Sequence, residues 1–558
     1  MPYKTRPFRE VALGLLVVLT IGCVAIPLAM AAAGIVSQLW VPPSVVIGGA
    51  PGGGADPESV FGWAWALAST IAISLVVGGV ATALAVGPAR VIALSDRWRR
   101  LAIAVVCVPL MMPTYLAYAG WNVLRQPGTW LGDVIARLNP PLITLIDQTL
   151  GVLGLAAWAW PLGVALLVPG VVRLDRDHAD AMSLDGAGRL RRLSVTTWML
   201  RGSLGASIGC IALVALGSSV PLHLAQVQTL AIRVWAMLGT QSPSEVWPRA
   251  WALLVMAVVG AWAITWAIRT MDERPRATVR SVVPSRLDGV LLLIALGVSV
   301  LAPMVLFAIG MRRWSSVPAF FRSDGATIWA SLATGVWVGL AIAVLMIASH
   351  VVACGLVRAG AIGYGAGRVA RVCLGAFCLT AIVPGVLIGS AVSTTIAQLG
   401  RVPELEWIAN WLAEGGGLIV AHVARFGFVG IVVGWLLGRS EPSELRETRL
   451  LLGGSEARAW WLTSGRSTAI LAAGVFVAGL AMSVQEIEAT VILSPPGERG
   501  LAVAMLEQLH YNAQEQLMAA GLSISGVSLI LALVVGGAAA WFDRVIRPVG
   551  LESRRKSA

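Results

Sequence analysis

DAMSLDGAGRLRRLSVTTWMLR (residues 180–201) and ETRLLLGGSEARAWWLTSGRST (447–468) are two versions of one pattern. In each, an acidic residue (Asp180 followed by Ala181, or Glu447) precedes a glycine (Gly186 or Gly453) at the same distance. A small residue comes next. An arginine-bearing stretch follows, with Arg189 and Arg192 in the first copy and Arg458 in the second. Both copies are charged, and both stand between long apolar runs. A chain that repeats such a loop repeats its surroundings, so the pair points to an internal duplication.

Other pairs keep nearly the same spacing. VPLMMPTYL around Pro113 matches TAIVPGVLI around Pro384, and Thr229–Trp235 matches Gly500–Leu506. The first apolar run carries Pro27, and the run that opens the second half carries Pro303. The expected organisation is a first six-helix repeat over 1–270, a linker over 271–286, a second six-helix repeat over 287–541 and a basic tail over 542–558. The linker region, RTMDERPRATVRSVVPSR (269–286), is polar and holds two prolines, as an extended connector does.

The chain is 57% hydrophobic and 13% charged, far from a soluble composition. Runs long enough to span a bilayer number about twelve, at roughly 20 residues each. They fall near 11–36, 62–87, 101–122, 151–171, 203–222, 247–268, 288–310, 326–348, 370–398, 416–437, 469–493 and 520–541. Backbone polar groups in lipid must bond internally, so these runs predict helices. The fold class is all-α: a polytopic membrane protein with two tandem six-helix repeats running the same way.

The net charge of +12 is a topology signal. With both termini placed in the cytoplasm, most of the Lys and Arg residues fall on cytoplasmic segments, as the positive-inside rule requires. Arg312, Arg313 and Arg322 are the exceptions. This excludes nucleic acid as the partner that the charge might suggest. Lys4, Arg6 and Arg9 before an apolar run resemble a secretory leader. The run is long and has a counterpart in the second half, so it reads as a retained helix. The six cysteines lie in or beside apolar runs, without metal-ligand spacing. Tryptophans such as Trp158, Trp160, Trp262 and Trp266 read as interfacial or lipid-facing. Pro109, Pro113, Pro161, Pro303 and Pro384 lie inside spans and should kink helices.

Ionisable residues inside a bilayer are costly and mark candidate sites. Glu486 and Glu488 fall near the outer end of the eleventh span, and His422 and Arg425 in the tenth. Ser218, Ser219 and His223 hold the matching place in the first half. Two readings stand. The carboxylates could line a translocation path and offer oxygen ligands to a hard cation. Alternatively, Arg425 pairs with them and stabilises the bundle. No metal site and no catalytic group is expected. A phosphate loop needs a lysine after its glycines, and the only lysines here are Lys4 and Lys556.

The repeated loops resemble the EAA loop of binding-protein-dependent ABC importer permeases. Asp180-Ala181-Met182 with Gly186, and Glu447-Thr448-Arg449 with Gly453, occupy its positions. SVQEIEATVILSPPGERGLAVAMLEQLHYN (483–512) resembles the fused twelve-helix permeases of ferric-iron importers. The resemblance implies a permease subunit in the bacterial inner membrane with no cofactor of its own. It implies an ABC ATPase, in two copies, that binds ATP and docks on the two loops. It also implies an external binding protein that delivers ferric iron. Related permeases carry thiamine, polyamines or other small solutes. The competing reading is a secondary transporter of the major-facilitator type, suggested by Ser95-Asp96-Arg97-Trp98-Arg99-Arg100 after the second span.

Overall fold

The computed structural model describes residues 6–39, 60–95, 98–125, 130–172, 185–186, 188–218, 220–225, 227–241, 243–270, 285–358, 364–439, 441, 443–451, 457–495, 500–510 and 514–546. Among these residues there is no strand, and nearly all are helical. Among the described residues, nine helices are long and apolar enough to cross a membrane, from Glu10–Ala32 to Glu515–Gly537. Two helix pairs pass the same test together but are sharply bent at a short break, and Trp251–Trp266 is a shorter apolar helix. The chain is an all-α polytopic membrane protein.

The bent pairs differ from the straight spans expected at 101–122 and 370–398. Arg99–Met111 meets Thr114–Arg125 at 82°, and Arg368–Ile382 meets Gly385–Leu399 at 112°. The cause is local. Proline has no N–H and pushes the residue before it out of the helical region. Met112, before Pro113, is extended at φ −87, ψ 138. Pro113 and Pro384 share one conformation, with φ −57, ψ 134 and φ −53, ψ 139. Each restarts a helix by accepting the N–H three residues on, from Leu116 or Leu387, at 3.0 Å. The fifth and eleventh spans also end earlier than expected. Their helices stop at Leu216 and Gln485.

Pro27 and Pro303 act differently. Each follows a single π-turn, Ile21–Ala25 or Gly297–Leu301, closed by an N–H five residues on. Ile26 donates to the Ile21 carbonyl and Ala302 to the Gly297 carbonyl. The wider turn makes room for a proline ring without ending the helix. A third pair of details repeats at the short helices Leu230–Leu238 and Leu501–His510. An N-terminal N–H has no partner within its own helix. Leu230 N–H donates to Thr70 Oγ1 at 2.9 Å and Leu501 N–H to Ser331 Oγ at 2.8 Å.

Packing repeats as well, and the two halves interlock. Val60–Leu94 lies against Pro140–Val172 and Arg189–Leu216, while Gly325–Arg358 lies against Gly417–Arg439 and Arg466–Gln485. The first helix of each half packs on the other half: Arg6–Thr20 on Gly325–Arg358, and Arg286–Leu296 on Val60–Leu94. The last helices do the same, Trp251–Thr270 on Tyr364–Ile382 and Gln514–Ile546 on Arg99–Met111. Arg90 pairs with Asp288 across this junction at 2.8 Å. Small residues permit the close approaches on which membrane helices rely. A Cβ on Gly430 or Gly434 would collide with the Ile342 or Met346 carbonyl.

Two tryptophans depart from expectation. Trp160 is fully buried and Trp158 nearly so, in the core of the first half. Hydropathy shows that such a ring avoids water but not whether it meets lipid or protein. Trp262 and Trp266 are exposed, as lipid-facing rings should be.

Candidate functional site

Residues from three stretches of the second half, one of them a broken helix pair, converge on one buried cluster. Gly417–Arg439 carries His422 and Arg425 less than one helical turn apart, on adjoining parts of one face. Arg466–Gln485 ends at Gln485, and Glu486 turns extended (φ −75, ψ 119) before the short helix Glu488–Leu493. That break brings both carboxylates to Arg425. Arg425 Nη1 donates to Glu486 Oε1 at 2.8 Å and to Glu488 Oε2 at 2.7 Å. The third stretch is the restarted helix Gly385–Leu399. Gly385 N–H donates to Glu488 Oε2 at 2.6 Å, so Glu488 satisfies an orphan donor at a helix N-terminus, where negative charge is favoured. Glu486 Oε1 also accepts from Ala489 N–H at 3.2 Å.

Gly385 is required by space. A Cβ there would strike the Arg425 guanidinium and come within 2.9 Å of Glu488 Cβ. In the first half Pro113 matches Pro384, and Thr114 stands where Gly385 does.

His422 completes the cluster. Its Nδ1 lies 2.8 Å from Ser483 Oγ and its Nε2 3.2 Å from Thr490 Oγ1. Thr490 donates its own proton to the Glu486 carbonyl at 2.6 Å. Its oxygen must therefore accept from His422 Nε2–H, and in the neutral ring Nδ1 accepts from Ser483. His422, Ser483, Glu486 and Thr490 border a small cavity of about 70 Å³. Every member of the cluster is held by partners. Both acids are engaged by one guanidinium.

The centre of the molecule is a crossing of the two halves. The bend at Pro113 leaves the Met111 carbonyl without its helical partner, and Gln485 Nε2 donates to it at 2.7 Å. At the matching place, a Cβ on Gly217 would lie 2.6 Å from the Ile382 carbonyl, at the Pro384 bend. Each half thus sets the end of its fifth helix on the bend of the other. Ser218 follows Gly217 at this crossing and is partly buried. Ser219 lies outside the described residues. Ser218 makes no described contact with the Arg425 cluster, which meets the Pro384 bend through the Gly385 N–H.

The loop residues are placed unevenly. Asp180, Ala181 and Gly453 lie outside the described residues. Gly186 sits at φ +65, the left-handed region that glycine enters without strain. Arg189 and Arg192 lie on the helix Arg189–Leu216. In the second copy, Glu447 is exposed on the helix Ser443–Leu451 and Arg458 is exposed on Ala457–Trp460.

Arg449, read in the sequence only as part of the loop motif, does more. It is buried, ion-pairs with Glu441, and donates to Ser464 Oγ at 3.0 Å and Thr463 Oγ1 at 3.2 Å. Ser464 also donates to Glu441. The loop helix is thereby fastened to the start of Arg466–Gln485. No sequence signal sets it apart, because arginine is ordinary in a charged loop.

Among the described residues, no group of three or more His, Cys, Asp or Glu is placed to hold a metal. Comparison with protein-family models, with curated protein sequences and with solved structures found no match, so the functional reading rests on this geometry and on the sequence patterns.

Proposed function

We propose that this chain is the membrane-spanning permease subunit of an ATP-driven, binding-protein-dependent importer, with hydrolysis on a separate ATPase. One observation carries the reading. In each half a single helix runs from the repeated charged loop to the bend of the opposite half. Arg189–Leu216 has 28 residues, about 42 Å, between the Gly186 turn and Gly217 at the Ile382 carbonyl. Arg466–Gln485 has 20 residues, about 30 Å, between the Arg449 anchor and Gln485 at the Met111 carbonyl.

A subunit that pushes on the loops would move both helix ends at the central crossing. The bends would then separate as rigid pieces, the kind of interface-driven switch that opens a path. An ATPase dimer suits this arrangement because it presents two equivalent clefts to two equivalent loops. The resemblance of 483–512 makes ferric iron a candidate cargo and the bacterial inner membrane, with both termini cytoplasmic, the expected location.

A second reading has one observation in its favour. A buried Arg425–Glu486–Glu488–His422 network is the kind of group an ion-coupled secondary carrier uses. Cross-linking separates the two. Glu447→Cys, exposed on the loop helix, should form an adduct with an ATPase that itself carries a phosphate loop when inside-out membranes are treated with a short bifunctional reagent. Uptake that survives ATP depletion but collapses with the proton gradient, and no such adduct, would favour the carrier.

A further inference from the structure

Arg312, Arg313 and Arg322 are the arginines that the topology expectation leaves unexplained. The structure gathers them beside a groove. After Gly310 the chain turns through Arg312 and Arg313 into the eight-residue helix Ser316–Ser323, which carries Arg322. Glu515, the first residue of the span Glu515–Gly537, ties this turn down. It accepts the Arg312 and Arg313 N–H groups at 3.1 and 2.6 Å and the Ser316 hydroxyl at 3.2 Å. Asp324 accepts from Ser323 at 2.8 Å. Over 310–325 together with Glu515, three arginines stand against these two acids, and all three are exposed. Arg322 Nε donates to the Pro318 carbonyl at 3.3 Å, which leaves the terminal nitrogens of its guanidinium for another acceptor.

The groove has a volume of about 330 Å³ and runs between this short helix, Gly325–Arg358 and Gln514–Ile546. Phe321, next to Arg322, lines it together with Trp329 and Val527. These three side chains are also exposed on the outside of the bundle, so the groove opens sideways, where lipid lies. Another part of its wall is Met111, Pro113 and Gln485, at the crossing of the two halves. Among the described residues no charged side chain lines it, which suits a hydrocarbon chain. Its depth fits as well. On Gln514–Ile546 it covers Ser523 to Leu531, roughly 12–24 Å along the helix from Glu515. Half a bilayer, headgroup layer included, is about 20 Å. A lipid with its phosphate at the arginines therefore lays a chain in this groove. An arginine fork matches phosphate oxygens in pairs, and basic residues at a membrane surface favour anionic lipids.

We propose that the groove holds an acyl chain of an anionic phospholipid whose phosphate is bound by Arg312, Arg313 and Arg322. The chain packs against the crossing, so the lipid stabilises the contact between Gln485 and the Met111 bend. This site stands independently of the import reading. The test uses the full chain in a neutral detergent, titrated with dioleoyl phosphatidylglycerol or dioleoyl phosphatidylcholine, which share their chains and differ in net charge. Bound lipid is read by native mass spectrometry. Phosphatidylglycerol should bind about tenfold tighter or more, and raise the melting temperature. The exposed triple variant Arg312→Gln/Arg313→Gln/Arg322→Gln should erase that preference. Leu332→Trp, which fills the groove, should weaken both lipids. If Leu332→Trp does not purify as a monodisperse particle, Val527→Trp on the exposed rim takes its place.

Equal binding of the two lipids, or a preference that the triple variant keeps, overturns the proposal. Binding that the groove-filling variant leaves unchanged also overturns it, since the arginines would then hold a headgroup without a seated chain. So does full displacement of phosphatidylglycerol by millimolar inorganic phosphate, which would make this a site for the free anion.

Discussion

Arg425 holds two carboxylates at 2.8 and 2.7 Å, and each carboxylate also accepts a backbone N–H. Removing the guanidinium would strand two buried acids. Arg425→Met should therefore destabilise the protein by about 3–5 kcal/mol in detergent unfolding. Adding Glu486→Gln and Glu488→Gln to that variant should recover most of the loss, because the uncompensated charge is then gone. If the triple variant were as unstable as the single one, packing rather than charge would be the cause. Gly385→Ala forces a methyl group into the same guanidinium and should cost roughly 1–3 kcal/mol. Gly526→Ala is the control. It meets open space inside a helix and should be neutral or slightly stabilising in the same melt.

At the scale of the element, the two bends and the two π-turns decide how the spans run. Gln485 is the side chain that closes the open carbonyl at the first bend. Gln485→Leu should cost about 1 kcal/mol by thermal unfolding, the worth of a side-chain hydrogen bond to a backbone carbonyl. The sequence showed these elements unequally. Pro113 and Pro384 were visible as matched prolines, but hydropathy has no direction, so apolar residues on both sides of a right-angled bend read as one span. The acids and Arg425 stood out because charge is rare in lipid. Ser483 and Thr490 did not, since hydroxyls are common in membrane helices and only the fold brings them to His422. Arg449 was hidden for the opposite reason: arginine is ordinary in a charged loop, and its burial depends on Glu441 and Ser464.

The whole molecule is two interlocked halves. First and last helices cross over, so neither half can bury its own surface alone. Chains split within 271–284 should assemble into a stable particle when co-expressed, and either half expressed alone should aggregate, as gel filtration in detergent would show. Independent folding of one half would contradict the exchanged packing of Arg6–Thr20 and Arg286–Leu296. The central claim is that motion enters at the repeated loops. The most direct measurement is ATPase activity on material co-purified with the solubilised full chain, for wild type and for the double variant Gly186→Arg/Gly453→Arg. The account predicts an ATPase with the wild type, lost from the double variant while that variant still reaches the membrane intact. A wild-type chain that purifies in transport-competent form with no ATPase, or a double variant that retains it in full, would contradict the account.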